Sequence, residues 1–202
     1  MLGVLFDLDG TLVNSVDVHL HSFLDALDAL GIPRKPGVEE EFRRQVGKRF
    51  TDIVRAIYPD MDGETLARIR KLKWEFTPKY IDRVRVLPHV YETLEALHGR
   101  YPLGLVTSAS RRFVDLVFSH TEPSLGRYFD AVVTAEDVSR GKPDPEPFIL
   151  GARRLGVDDA VVVGDTDYDR IAAERAGFRF VHAGRMKELP AILEGIRNKK
   201  VC

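Results

Sequence analysis

The sequence predicts an α/β protein in which a doubly wound parallel sheet is interrupted, after its first strand, by a helical insertion. The first observation is a set of short apolar runs, bounded by turns, at residues 2–6, 103–107, 131–134, 160–164 and 180–182. The second is that helical periodicity follows these runs, which is typical of a parallel sheet covered on both faces. The third is a change of pattern, because residues 13 to 83 show helical spacing and no convincing strand.

These patterns divide the chain into an α/β core, residues 1–13 and 86–202, and a helical insertion, residues 14–85. Between the apolar runs of the core, amphipathic helices are predicted near residues 90–97, 111–119, 145–155 and 168–176. The first strand therefore precedes the insertion, and every other strand follows it.

Four helices are predicted within the insertion. In the first, apolar residues recur at spacings of three and four from residue 16 to residue 30. Asn14 or Ser15 is its candidate N-cap, and the run ends at Gly31. Two shorter helices carry apolar residues within 42–46 and 53–57, and a longer one extends from about residue 63 to residue 80.

Composition excludes several classes of protein. The 202 residues are 44% apolar, enough for a sizeable core, and 30 basic against 31 acidic residues give a net charge of −1. A general nucleic-acid binder would normally show a basic excess. No run approaches the roughly 18 apolar residues of a membrane span, and the first residues do not form a signal peptide. The single cysteine, Cys202, excludes an internal disulfide, so we expect a cytoplasmic protein. We also expect a monomer or homodimer.

The residues able to perform chemistry follow the predicted strands. In open parallel sheets ligands bind beyond the carboxyl ends of the strands, so these residues are expected to meet at one edge. The first strand is followed by Asp7, Asp9 and Thr11, the second by Thr107 and Ser108, the third by a loop with Lys142, and the fourth by Asp165 and Asp169.

This set of side chains predicts phosphoryl transfer. Several carboxylates at one place repel each other unless they bind a cation, and ligands that are all oxygen favour Mg²⁺. A cation, a lysine, a threonine hydroxyl and turn amides together can hold a phosphate. A carboxylate free to attack would form an aspartyl-phosphate, while catalysis rests on positioning and charge neutralisation.

The four motifs, in this order, resemble the haloacid dehalogenase (HAD) superfamily hydrolases of the phosphoglycolate phosphatase-like branch. The resemblance rests on the DxDGT box at Asp7, on Thr107, on Lys142 in GKPDP and on the GDxxxD box at Asp165, and it covers essentially the whole chain. It implies a Rossmann-like core, and the insertion corresponds to the family's small helical cap. Residues 14–85 are called the cap below.

The resemblance also implies a role for each residue. Asp7 would be the nucleophile and Asp9 the general acid, then base, while Thr107, Ser108 and Lys142 would bind the phosphoryl group. Asp165 would ligate Mg²⁺ with Asp7 and the backbone carbonyl of Asp9, and Asp169 and Thr11 would support the site. The substrate it suggests is a small phosphorylated metabolite, with phosphoglycolate first.

Other functions remain open. A phosphomutase uses the same four motifs, and a pyrophosphatase is also possible. A phospho-Asp signalling domain that does not turn over belongs to a different class, but it has no reason for a 70-residue insertion. The spacing Asp165-x-Asp167-x-Asp169 imitates a calcium loop, yet Arg170 and Ala176 stand where that loop needs Gly and Glu.

The cap offers few candidates for substrate contact. Lys48 and Arg49 follow Gly47 between two predicted helices, and they are interpreted either as a solvated pair or as a contact to a second anionic group of the substrate. His19, on the first cap helix, is a candidate to face the cleft. Trp74 is interpreted as cap packing.

Overall fold

The computed structural model describes residues 1–199 and shows a five-stranded, fully parallel sheet in the order β5-β4-β1-β6-β7. Its strands are β1 Leu2–Phe6, β4 Leu103–Val106, β5 Ala131–Val133, β6 Asp159–Gly164 and β7 Arg179–His182. β1 is central and pairs with β4 on one side and β6 on the other. The predicted fold class is confirmed. The prediction about Cys202 falls outside the described residues.

Helices cover both faces of the sheet. The core helices are α5 Val90–Leu97, α6 Arg111–His120, α7 Glu146–Leu155, α8 Asp167–Arg175 and α9 Leu189–Lys199. One face of the sheet packs against α5, α6 and α9, and the other against α7 and α8. Every strand residue of β4 and nearly every residue of β1 and β6 is buried, which explains why these strands read as continuous apolar runs.

The cap consists of four helices with a hydrophobic core of their own. They are α1 Val16–Ala29, α2 Val38–Arg44, α3 Phe50–Ile57 and α4 Gly63–Phe76. Phe23 of α1 stacks on Phe42 of α2, with the ring centroids 5.4 Å apart, at the centre of this core. The predicted last helix is shorter than expected: Pro78 lacks the N–H that an α-helix needs, and the chain continues as a 3₁₀ helix over Thr77–Arg83.

The sequence analysis missed a ribbon between cap and core and the last helix. An antiparallel ribbon of β2 Val13–Asn14 and β3 Arg85–Val86 joins cap and core, so the expectation of no strand from residue 13 to residue 83 was wrong at its first two residues. Strands of two residues are too short to carry a period of two. The predicted domain boundaries, 13/14 and 85/86, fall inside this ribbon and stay predictions. The second missed element is α9.

Within residues 1–199, no helix is both long and apolar enough to cross a membrane.

Candidate active site

Asp7 and Lys142 form the buried centre of the site. Asp7 directly follows β1, and Lys142 lies in the loop before α7. The Lys142 ammonium lies 2.6 Å from Asp7 Oδ1 and 2.6 Å from Asp169 Oδ1, and the exposed fraction of all three side chains is 8% or less. Burial acts against the charge of Lys142, but the carboxylates of Asp169 and Asp7 prevail and raise its pKa. Lys142 therefore stays charged and fixes both carboxylates.

Asp169 is held by the start of its own helix. Thr166 is the N-cap of α8, and its hydroxyl donates to Asp169 Oδ2 at 2.6 Å while the Asp169 amide donates back to that hydroxyl at 3.3 Å. This capping box aims the other carboxylate oxygen at Lys142. The supporting role of Asp169 stays a prediction.

Asp7, Asp165 and Asp169 bring carboxylate oxygens within 4.8 Å of one another. Burial, followed by the charge of Asp169, raises the pKa of Asp165 to about 6. Burial is also the main cause of the raised pKa of Asp7. Burial and the three acidic neighbours of Asp7 together raise this pKa by more than the charge of Lys142 lowers it. These raised pKa values show that the clustered carboxylates ionise unfavourably without a cation. Their hard oxygen donors fit a hard divalent cation.

The loop after β1 shapes this cluster. Thr11 donates from its hydroxyl to Asp165 Oδ1 at 3.2 Å. Gly10 has a φ of +83°, and a Cβ at this position would overlap the Asp165 carboxylate. Glycine is therefore required there for both backbone conformation and space.

The carboxylate of Asp9 lies apart from the cluster of Asp7, Asp165 and Asp169 and faces the cap. It accepts a short hydrogen bond from Ser15, and Asp9 Oδ1 lies 3.4 Å from Nε2 of His19. Burial would raise the pKa of Asp9, but the hydrogen bonds from His19 and Ser15 and the charge of Lys73 lower it overall. Ser15 is the N-cap residue of α1, as expected, but its hydroxyl serves Asp9 and does not cap the helix.

Lys73 is a buried residue of the cleft that the sequence analysis missed. It lies on α4, its residue is 1% exposed, and its ammonium is 3.0 Å from Nδ1 of His19 and 4.1 Å from the centroid of Trp74. Burial lowers its pKa to about 7. No carboxylate within residues 1–199 forms an ion pair with it. The signal was a lysine in the apolar stripe of α4, after Leu66 and Ile69.

A cavity of about 570 Å³ lies between cap and core, and Asp7, Asp9 and Thr107 line it from the core. Thr107 accepts the amide hydrogen of Ala109 on its hydroxyl oxygen, at 3.0 Å, so its O–H remains free to donate. Ser108 follows it along the wall of the cavity, and His19 and Trp74 line it from the cap.

Lys48 and Arg49 also line the cavity, but they contact protein groups there. Arg49 donates to the backbone carbonyls of Val138, at 2.9 Å, and Ser139, at 3.2 Å, in the core loop that leads to Lys142. Lys48 donates to Gln45 at 2.5 Å. Its ammonium is also 5.3 Å from the ring centroid of Tyr168 in the core. Substrate binding by this pair stays a prediction.

The chain is similar to known proteins along most of its length. The sequence model of the family described as haloacid dehalogenase-like hydrolase matches residues 4–183. The chain is 35% identical to pyrophosphatase PpaX of Bacillus velezensis over 182 residues, 86% of this chain and 79% of that protein. PpaX of Bacillus pumilus is 34% identical over 179 residues, again 86% and 79% of the two chains.

Solved structures give the same fold. A hydrolase from Pseudomonas syringae superposes with a TM-score of 0.78 at 26% identity, over 90% of this chain and 84% of that chain. CbbY from Rhodobacter sphaeroides, crystallised in complex with phosphate, has a TM-score of 0.78 at 22% identity, over 89% and 84%. The match of the family model along most of the chain confirms the resemblance, and the chain belongs to the haloacid dehalogenase-like hydrolases.

Proposed function

We propose that the protein is a Mg²⁺-dependent phosphatase that hydrolyses a small phosphomonoester through a phosphorylated Asp7. The observation that carries the proposal is the buried pair of Asp7 and Lys142, placed at the edge of a cavity beside two further carboxylates. A phosphoryl group entering there meets a nucleophile, a fixed cation and hydroxyl donors. The names of the PpaX relatives support phosphate chemistry of this kind.

Mg²⁺ would be held by Asp7, Asp165 and the backbone carbonyl of Asp9, and when bound it would neutralise the charge of the transferred phosphate. Lys142 orients Asp7 for attack, and its charge offsets part of the rise in the pKa of Asp7 that burial causes. Thr107 donates its free hydroxyl hydrogen to a phosphoryl oxygen, and Ser108 beside it also binds the phosphoryl group. The bond from phosphorus to the leaving oxygen breaks as the bond to Asp7 forms.

Asp9 handles protons in both halves of the reaction. Its pKa is lowered, so it is a carboxylate before substrate binds and suits the later task of removing a proton from water. For the first step it needs a proton, and the approaching phosphate raises its pKa because like charges disfavour ionisation. A protonated Lys73 donates to Nδ1 of His19, which leaves the ring hydrogen on Nε2 facing Asp9. His19 thereby orients Asp9 and stabilises its ionised form.

Phosphoglycolate is the first substrate to test because of the branch that the motifs resemble. Pyrophosphate is the second, because the PpaX relatives bear that name and the chain covers most of their length. A cytoplasmic location and a monomeric or homodimeric state stay predictions.

Phosphate release with these two compounds and 4-nitrophenyl phosphate, with Mg²⁺ and after chelation, tests the proposal. We expect many turnovers per protein with Mg²⁺ and almost none without it. Release of one equivalent or less, with a stable phosphoprotein, would identify a phospho-Asp signalling domain instead. No phosphate release and no phosphoprotein from any of the three compounds would contradict the proposal.

A further inference from the structure

The cap is docked on the core, and the cavity lies between them. Arg49 bonds two core carbonyls, and a Cβ on Gly47 would lie 3.0 Å from Thr166 of the core. From the other side of the cap, Trp74 packs against Phe113 of α6 with ring centroids 6.3 Å apart. The cavity of about 570 Å³ is thus the space that remains with the cap docked, and it reaches solvent where Arg70 and Arg112 are exposed.

This space is far larger than the substrates suggested by resemblance. Cavities of about 300–1,000 Å³ hold ligands of drug size. Phosphoglycolate and pyrophosphate, with nine heavy atoms each, would leave most of such a volume filled with water. A lid is useful when it excludes water from the reaction, so a cavity of this size under a docked cap indicates a larger leaving group.

Besides its cationic side chains, the cap side of the wall has an apolar and aromatic stretch. Val46, Phe50 and Trp74 line it, and each is partly exposed although it belongs to or packs against a hydrophobic core. Neither a glycolate nor a second phosphate covers such a surface. A leaving group with an apolar or planar face would bury it, at roughly 25 cal/mol for each Å² removed from water.

Two arginines face the cavity from opposite sides. Arg70 lies on α4 of the cap and Arg112 on α6 of the core, and both line the cavity while remaining exposed. Neither forms a hydrogen bond or an ion pair with a residue in the described part of the chain. Glu136, the acidic group of this wall apart from Asp7 and Asp9, accepts a hydrogen bond from the backbone of Arg111. The two guanidinium groups are therefore available to a distal anion.

We propose that the physiological substrate is a phosphate monoester of about nucleoside size that carries a second anionic group. Its reacting phosphate lies at Asp7, its middle covers Phe50 and Trp74, and its distal anion binds Arg70 and Arg112. This inference rests on the proposed phosphatase function and specifies its substrate class.

A graded panel of substrates tests the proposal, with kcat/KM measured for each. It contains phosphoglycolate, pyrophosphate, ribose 5-phosphate, adenosine 5′-monophosphate and adenosine 3′,5′-bisphosphate, with 4-nitrophenyl phosphate as the reference for the chemical step. We expect kcat/KM to rise with size and with the second anion, so that the bisphosphate exceeds phosphoglycolate by about tenfold or more.

The variant Arg70→Ala/Arg112→Ala tests the distal contact. The ratio of kcat/KM for the bisphosphate to that for 4-nitrophenyl phosphate should fall about tenfold or more, as expected for lost charge-assisted contacts. Arg68→Ala is the matched control, because Arg68 is exposed on the same helix but does not line the cavity. This control should leave the ratio unchanged.

Two results would overturn the inference. One is a preference for phosphoglycolate or pyrophosphate over every larger member of the panel, and the other is an unchanged ratio in the double variant. Both results require hydrolysis of 4-nitrophenyl phosphate, so they are distinct from a failure of the phosphatase proposal itself, in which no compound is hydrolysed.

Discussion

Replacing Arg49 with alanine should slow hydrolysis of every substrate by a similar factor. Arg49 ties the cap to the core through the carbonyls of Val138 and Ser139, four and three residues before Lys142. Without this tie the closed form is less populated, and the loop that carries Lys142 is held less firmly. The effect would act on closure and positioning, and so it would not depend on the leaving group.

The size of the effect follows from the two hydrogen bonds. A bond between a charged and a neutral group contributes about 1.5–3 kcal/mol when it is desolvated. One of the two is exposed, so their joint contribution is about 1–2 kcal/mol, equivalent to a loss of about 5- to 30-fold in kcat/KM. The Arg43→Ala variant is a matched control, because Arg43 is a partly exposed cap arginine that pairs with Asp17 inside the cap.

The assay compares kcat/KM for 4-nitrophenyl phosphate, which has no second anion, with that for phosphoglycolate. Loss with both substrates supports the cap–core tie, and loss with phosphoglycolate alone would show that Arg49 binds the substrate's second anion. A Gly141→Ala variant gives an independent check, because the added Cβ would lie 2.7 Å from Arg49 Nε and displace the guanidinium without removing its charge. Since both changes break one contact, their losses should not add in the double variant.

Three further variants test individual side chains. Asp7→Asn should abolish turnover while the melting temperature changes little, because Lys142 keeps Asp169 as a partner; more than about a tenth of wild-type activity would exclude Asp7 as the nucleophile. Asp9→Asn should slow alkyl phosphates more than aryl phosphates in single-turnover experiments, because an aryl leaving group needs little protonation, whereas equal slowing would contradict the acid role. For Lys73, the folded pKa of about 7 lies below the ordinary 10.5, so the wild type should gain stability relative to Lys73→Met as pH rises through this interval and lose it as pH falls. The free energy of unfolding of the wild type minus that of Lys73→Met should rise by about 2 kcal/mol from pH 7 to pH 9. A constant difference would show that the burial of Lys73 does not lower its pKa.

The parts of the fold that the sequence predicts well are those with a strong apolar pattern. The apolar runs that became β1, β4 and β6 are central strands buried on both faces, and no amphipathic helix shares that pattern. The catalytic candidates could be placed because parallel strands direct their carboxyl ends to one edge, which needs no knowledge of side-chain contacts. The ribbon β2–β3 could not be predicted in this way, because each strand has two residues and its pairing joins segments about 70 residues apart.

The cap residues that complete the site were harder to find. His19 was a candidate because it lies on the first cap helix, but its partner on α4 is 54 residues further along the chain. Nothing in local spacing relates the two. The same holds for Arg49 and its carbonyl acceptors, which are 89 and 90 residues away and have no side-chain signature at all.

Lys73 shows why such a residue is nevertheless visible in principle. A lysine inside an apolar helical stripe costs stability, because burial disfavours its charged form and the carboxylate of Asp9 offsets this only in part. Here the ammonium contacts His19, which contacts Asp9, and all three line the cavity in which a phosphate is expected. Under the proposed function, the phosphate of the substrate would supply the remaining counter-charge. A charged residue that interrupts an apolar pattern in the cap is therefore a candidate for substrate contact that a variant can test. The pH dependence of the Lys73 variant measures the free energy of unfolding that the protein loses by burying this ammonium in the absence of substrate.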